Sequence, residues 1–134
     1  MKRLAIVLLT LMVSTAYAWN PAGTWNNLDS SSGGIDHLVI GDDLMIQGYG
    51  QCSPNPCEWG TTGLIKLVAT NDSGNDDRSE YIALWNFDFK TTVLILSPHP
   101  ENPNYIVVRS YDFYAPSDGR QNRYTIEYLK RSSP

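Results

Sequence analysis

The chain has 134 residues and a formal net charge of −4, from ten basic and fourteen acidic side chains. Two of the basic residues, Lys2 and Arg3, stand at the extreme N-terminus, and without them the balance is −6. Such a balance argues against a nucleic-acid partner, which needs a basic face, and against attraction to anionic lipid surfaces.

Lys2 and Arg3 are followed by an apolar run over 4–13 that contains one threonine, and then by Ala16-Tyr17-Ala18, a small-x-small cleavage site. Residues 1–18 read as a secretory signal peptide, with the mature chain starting at Trp19. The run is too short for a stable span and no stop-transfer pattern follows, so no membrane insertion is expected after cleavage. The expected location is periplasmic or extracellular, where disulfides persist. Residues 19–134 are enough for one domain with a real core, and no internal repeat divides them.

Beyond residue 18 no apolar stripe recurs at helical spacing. The pattern has period two and is broken by Gly, Pro, Asn and Asp clusters. Strands are predicted at 23–28, 35–40 and 44–49, the last two forming a hairpin around Gly41-Asp42-Asp43. A fourth runs from about 61 to 70, where Gly60 and Gly63 invite a bulge or a close backbone approach. Residues 71–78 read as a solvated hairpin tip. They lack the order of an EF-hand calcium loop, and Asn71-Asp72-Ser73 matches a glycosylation acceptor. The clearest strand is 81–90, with Trp85, Phe87 and Phe89 alternating against Asn86, Asp88 and Lys90. Strands follow at 92–96, 105–113 and 123–131. The three prolines of 97–104 keep that stretch irregular. Alternation places Trp85, Phe87 and Phe89 inside, and Tyr124, Ile126 and Tyr128 likewise.

About eight strands with hairpin-sized links predict an all-β fold, a single antiparallel meander closed into a barrel, with a two-sheet sandwich as the alternative. Closure also removes exposed sheet edges.

Between the third and fourth strands lies Cys52-Ser53-Pro54-Asn55-Pro56-Cys57-Glu58-Trp59-Gly60. Pro54 and Pro56 stiffen the loop and bias Ser53 and Asn55 toward extended or turn geometry. A Cys52–Cys57 disulfide is the expected state. A redox pair would favour C-x-x-C spacing, and zinc would need two further ligands when only the distant His37 and His99 exist. No metal or other cofactor is expected. The loop closed by the bridge is short, so its contribution is about 2 kcal/mol and its role is to shape a hairpin. Trp59 at the exit of the loop and Tyr49 at its entry are candidate binding residues. For Trp59 the rival role is internal packing against the bridge or the core.

Gly23-Thr24-Trp25 at the head of the first strand resembles the G-x-W signature of the calycin group, the lipocalins and avidins. That resemblance implies a barrel end closed by Trp25 with an arginine of the last strand across it, Arg131 or, as the alternative, Arg123. Gly23-Thr24-Trp25-Asn26-Asn27 is similar to the G-T-W-x-N start of avidins, which implies a ligand contact for Asn27. No later tryptophan pattern matches the avidins, so biotin is not predicted. The cysteine stretch also resembles short secreted bacterial proteins with a C-x-P-x-x-C-x-W-G motif, to which no function attaches.

Catalysis is not expected. His37 and His99 lie on distant segments, no G-x-S-x-G or H-E-x-x-H pattern occurs, and the adjacent Asp42-Asp43 and Asp76-Asp77 pairs need not converge. Three functions fit the residues: a small-ligand or glycan binder with an aromatic barrel mouth, a protein-binding barrel such as an exported enzyme inhibitor, and a structural envelope-associated domain without a ligand.

Overall fold

The computed structural model describes residues 19–31, 33–68 and 79–132. The expected signal segment, the end of the predicted fourth strand at 69–70 and the loop at 71–78 with its Asn71 acceptor lie outside them.

Nine strands run in chain order: β1 (Gly23–Asn27), β2 (Ile35–Ile40), β3 (Met45–Gly50), β4 (Cys57–Gly63), β5 (Ile65–Leu67), β6 (Glu80–Asn86), β7 (Lys90–Pro98), β8 (Tyr105–Tyr114) and β9 (Arg123–Arg131). All pairings are antiparallel, and the sheet order is β4-β3-β2-β1-β9-β8-β7-β6-β5. Only Leu64 separates β4 from β5, so together they act as one bent strand. Its first half pairs with β3 and its second with β6. The Trp85 indole N–H donates to the Gly60 carbonyl at 2.9 Å across the remaining gap. Nine segments thus make an eight-staved meander, a nearly closed barrel with no helix among the described residues.

Period-two alternation puts Trp25, Leu38, Ile46, Leu94, Ile106 and Leu129 in the interior, each almost fully buried. Branched and aromatic side chains on a pleated, one-sided surface account for the strands themselves.

Two expectations need correction. The predicted strand 81–90 ends at Asn86. The chain turns through Phe87, Asp88 and Phe89, with the Phe87 N–H donating to the Lys90 carbonyl at 2.8 Å. Phe87 therefore packs against the core from a turn, while Phe89 is largely exposed. The inward face of β9 is also reversed. Leu129 is fully buried, and Arg131 pairs in register with Trp25 of β1. With those two facing inward, the strand period sends Tyr124, Ile126 and Tyr128 outward, 65%, 49% and 49% exposed. The rest of the inner face of β9 is polar, and Glu127 is buried there.

Candidate functional site at the barrel mouth

One end of the barrel opens into a cleft of about 330 Å³. Its wall begins with an irregularity in β4. Gly48 pairs with Gly60, and the next pair is Tyr49 with Glu58, so Trp59 is an extra residue in the ladder. A bulge of this kind re-aims a side chain. Gly60 adopts φ +91°, a conformation that favours glycine, immediately after the tryptophan. The indole is turned inward and lies on the bare backbone of β3. A Cβ built on Gly48 would sit 2.6 Å from Trp59 Cε3, and one on Gly50 would sit 2.7 Å from Trp59 Nε1. Edge contacts with Trp85, centroids 5.4 Å apart, and Phe87, 6.2 Å apart, fix the ring. The Trp59 indole N–H has no hydrogen-bond partner among the described residues and is not sealed from solvent.

Opposite this wall, three strands, β7, β8 and β9, deliver charge. Asp112 is the inward residue after Ile106, Val108 and Ser110 on β8, and it is buried. Its carboxylate accepts from Thr92 Oγ1 at 2.6 Å, Lys90 Nζ at 3.3 Å and Arg123 Nε at 3.0 Å. Burial alone would push the Asp112 carboxyl up. The bonds from Thr92 and Arg123 and the nearby Lys90 charge outweigh it and hold the group below its ordinary value. The bond to Asp112 raises the Arg123 guanidinium above its own usual value. Glu127 accepts from Asn27 Nδ2 at 3.1 Å and from the Ile35 N–H at 3.4 Å, close against Gly34. Lys90 also stands 5.8 Å from the ring centroids of Phe87, Phe89 and Tyr114. Arg120, held by Asp118, lies 5.1 Å from the Phe89 centroid. The mouth therefore has an aromatic wall and a charged floor. The Asp112 and Glu127 oxygens are already engaged by the protein. The two terminal nitrogens of Arg123 and the Trp59 N–H are not.

The rim is the cysteine loop. Cys52 and Cys57 are at disulfide distance, with Cα atoms 5.5 Å apart, and residues 52–58 are all exposed. The Ser53–Pro54 peptide is cis.

The structure separates the other residues singled out by the sequence. Tyr49 faces outward and stacks on His37, with centroids 4.1 Å apart and planes 10° from parallel, so it does not line the cleft. Asn27 is committed internally. Its amide donates to the Ile35 carbonyl at 2.7 Å as well as to Glu127, and its oxygen accepts from the Asp29 N–H. It braces the floor from behind and is not part of the cleft lining. Trp25 and Arg131 come together at the far end, with the guanidinium 4.2 Å from the indole centroid. There Arg131 donates to the Ala22 carbonyl and, at 2.9 Å, to that of Asn20, while Trp25 Nε1 donates to Pro21 at 2.8 Å. Arg123 lies at the mouth instead, on Asp112.

Sequence reasoning placed neither Lys90, Asp112 nor Glu127 in a site, and named Arg123 only as the alternative partner of Trp25. For Asp112 a signal existed, because it continues the inward phase of β8 as a carboxylate after Ile106, Val108 and Ser110. Glu127 became readable only after the phase of β9 was known. Comparison with protein-family models, with curated proteins and with solved structures finds no match for this chain.

Proposed function

We propose that this chain is an exported binding protein that takes a small ligand or a glycan unit at the barrel mouth. The observation that carries the reading is Trp59, bulged inward, seated on a two-glycine floor and left with an unpaired N–H at an open cleft. A large ring held against its neighbours loses little entropy on binding. Cleft geometry of this kind, apolar walls with a few convergent polar groups, is typical of small-molecule sites. The unpaired groups are donors, which favours a ligand with one flat or apolar face and acceptor oxygens, such as a sugar or a carboxylate. Export through residues 1–18 belongs to the same proposal, and an N-terminus at Trp19 on the chain recovered from its host tests it.

The test of the site is a titration of sugars and small carboxylates, followed by the indole N–H signals in a two-dimensional NMR spectrum. The Trp59 signal should move on binding and the Trp25 signal should stay. Trp59→Ala should remove at least about 2 kcal/mol of binding, while Trp59→Phe retains part of it. Ligands that shift no Trp59 resonance, or that bind Trp59→Ala as well as the parent, would sink the reading.

The exposed loop at 52–58 favours a second reading, a protein partner gripping the rim. A chain captured by the parent but lost on substitution of Asn55 and Glu58, with Trp59 intact, would select it.

A further inference from the structure

Two cations at the mouth share one carboxylate. Lys90 Nζ and Arg123 Nε approach the two oxygens of Asp112 at 3.3 and 3.0 Å, and Thr92 Oγ1 donates to the first of them. With Lys90 and Arg123 set against Asp112 alone, the cluster carries one positive charge in excess. Lys90 is mostly buried, whereas half of the Arg123 side chain is exposed. Because Nε is fixed on Asp112, the edge left over is the fork of Nη1 and Nη2, which no described residue occupies. That fork matches the two oxygens of a carboxylate, and the bond to Asp112 already restrains it.

The rest of the lining constrains what that carboxylate is attached to. The lining as a whole is not cationic, because Glu58 and Glu127 also belong to it. Glu58 is exposed on the rim. Glu127 stands four residues along β9 from Arg123, roughly 13 Å at strand spacing, and accepts there from Asn27 and the Ile35 N–H. An anion is therefore taken at the Arg123 end alone. It is kept off the Trp59 ring, whose face is the negative part of its quadrupole and suits C–H groups. Phe87 meets Trp59 on one side and lies 5.8 Å from Lys90 on the other, so the aromatic wall runs directly into the charged cluster. Thr125, exposed between Arg123 and Glu127, lines the cleft, and its hydroxyl makes no hydrogen bond among the described residues. A carboxylate on a hydrocarbon body would desolvate Thr125 and Glu58 without offering them a hydrogen bond. A neutral sugar would leave the Arg123 fork unfilled.

We propose that the mouth takes an acidic sugar, a pyranose bearing a carboxylate as a uronate does, with its ring face on Trp59 and its carboxylate on the terminal nitrogens of Arg123. The inference rests on the reading of the mouth as a ligand site built on Trp59, and it narrows the class of ligand. The chain is acidic overall. At physiological salt its other charges are screened beyond about 8 Å, so contact with Arg123 decides.

Calorimetric titration of the full chain with the methyl glycosides of glucuronate, galacturonate and mannuronate, each against the glycoside of its parent hexose, tests this. The members of a pair differ only in a carboxylate in place of a hydroxymethyl group. At least one uronate should bind about tenfold or more tightly than its hexose. Arg123→Gln, which leaves Asp112 its Lys90 and Thr92 partners, should erase that preference. Arg123→Lys should lose most of it, because the fork is gone. A trimer of the preferred uronate tells a free sugar from a unit of an acidic polysaccharide, since only a site for the polymer gains affinity with length. Hexoses that bind as tightly as their uronates, with the Trp59 indole N–H shifted by both, would overturn the proposal and leave the sugar site standing. So would a preference unchanged in both Arg123 variants, or cyclohexanecarboxylate bound as tightly as the uronate. If no sugar moves the Trp59 resonance, the proposal falls together with the glycan reading of the mouth.

Discussion

At the closed end of the barrel, Arg131 lies over Trp25 and donates to two backbone carbonyls. At the mouth, Arg123 donates to Asp112 and leaves its terminal nitrogens unpaired. Each end thus holds a tryptophan and an arginine drawn from β9. The difference is in what they face. Trp25 is sealed at 1% exposure, its N–H bonded, and Gly23 at φ +134° leaves room for the guanidinium. Trp59 is half-buried, its N–H is unpaired, and the carboxylates opposite it are buried without an apolar lid. Burying ionised groups is costly unless they are paired. The closed end avoids that cost by using its cation to cap carbonyls, while the mouth accepts it. One end is built as a plug, and the other is built around a space.

The largest effect should therefore appear at the plug. Trp25→Ala should destabilise the fold by about 3–5 kcal/mol in urea unfolding, because it empties a fully buried site. Trp59→Ala, at the half-open end, should cost about 2 kcal/mol or less. Equal losses would erase the contrast between the ends.

Next in size is the floor of the mouth. Asp112→Ala removes the common acceptor of Thr92, Lys90 and Arg123. It should cost about 3 kcal/mol, since Lys90 is mostly buried and loses its counter-ion. A neutral result would mean that solvent already screens the cluster at the mouth.

Gly48→Ala tests the seat of Trp59 more gently. The added methyl collides with the indole at 2.6 Å and approaches Trp85 at 3.1 Å, and neither ring can swing away freely. A loss of about 1–3 kcal/mol is expected, together with a changed Trp59 fluorescence. An unchanged spectrum would show that the indole does not rest on that glycine.

How much of this could be read from the chain depends on where each determinant lies. The meander was legible because short apolar runs broken by Gly, Pro, Asn and Asp clusters are local signals, and short links force neighbours to pair. The phase of β9 was not. Its outward Tyr124, Ile126 and Tyr128 are more apolar than its inward Thr125 and Glu127, so composition points the wrong way. The register is set by Leu129 and Arg131 against β1 and β8. The end of β6 was misread because Phe87 and Phe89 keep the alternation through a turn that only the Phe87–Lys90 hydrogen bond reveals. Gly60 did signal an irregularity, although which face it gives Trp59 depends on a bulge counted against β3. The charged floor draws Lys90, Asp112, Arg123 and Glu127 from three strands, β7, β8 and β9. Their convergence is a property of register, and each alone looks like an ordinary strand residue.

Acid should distinguish the two ends with the smallest perturbation. The Asp112 carboxyl is held below its ordinary value in the folded chain. A group depressed in this way contributes stability that is fully present above its unfolded value, near pH 3.9 for an aspartate, and that is lost as pH falls through the lower folded value. Acid thus removes the negative partner and leaves the Lys90 and Arg123 side chains without their shared acceptor. The closed end has no counterpart, because Arg131 is bound to backbone carbonyls and to a ring, none of which titrates there. Indole N–H resonances recorded from neutral pH to below pH 4 should therefore show Trp59 shifting as Asp112 takes up its proton while Trp25 holds still. In Asp112→Asn the Trp59 shift should largely vanish. Movement of both tryptophans together would mean that the acid response is global unfolding, and the mouth would then have no separate electrostatic identity.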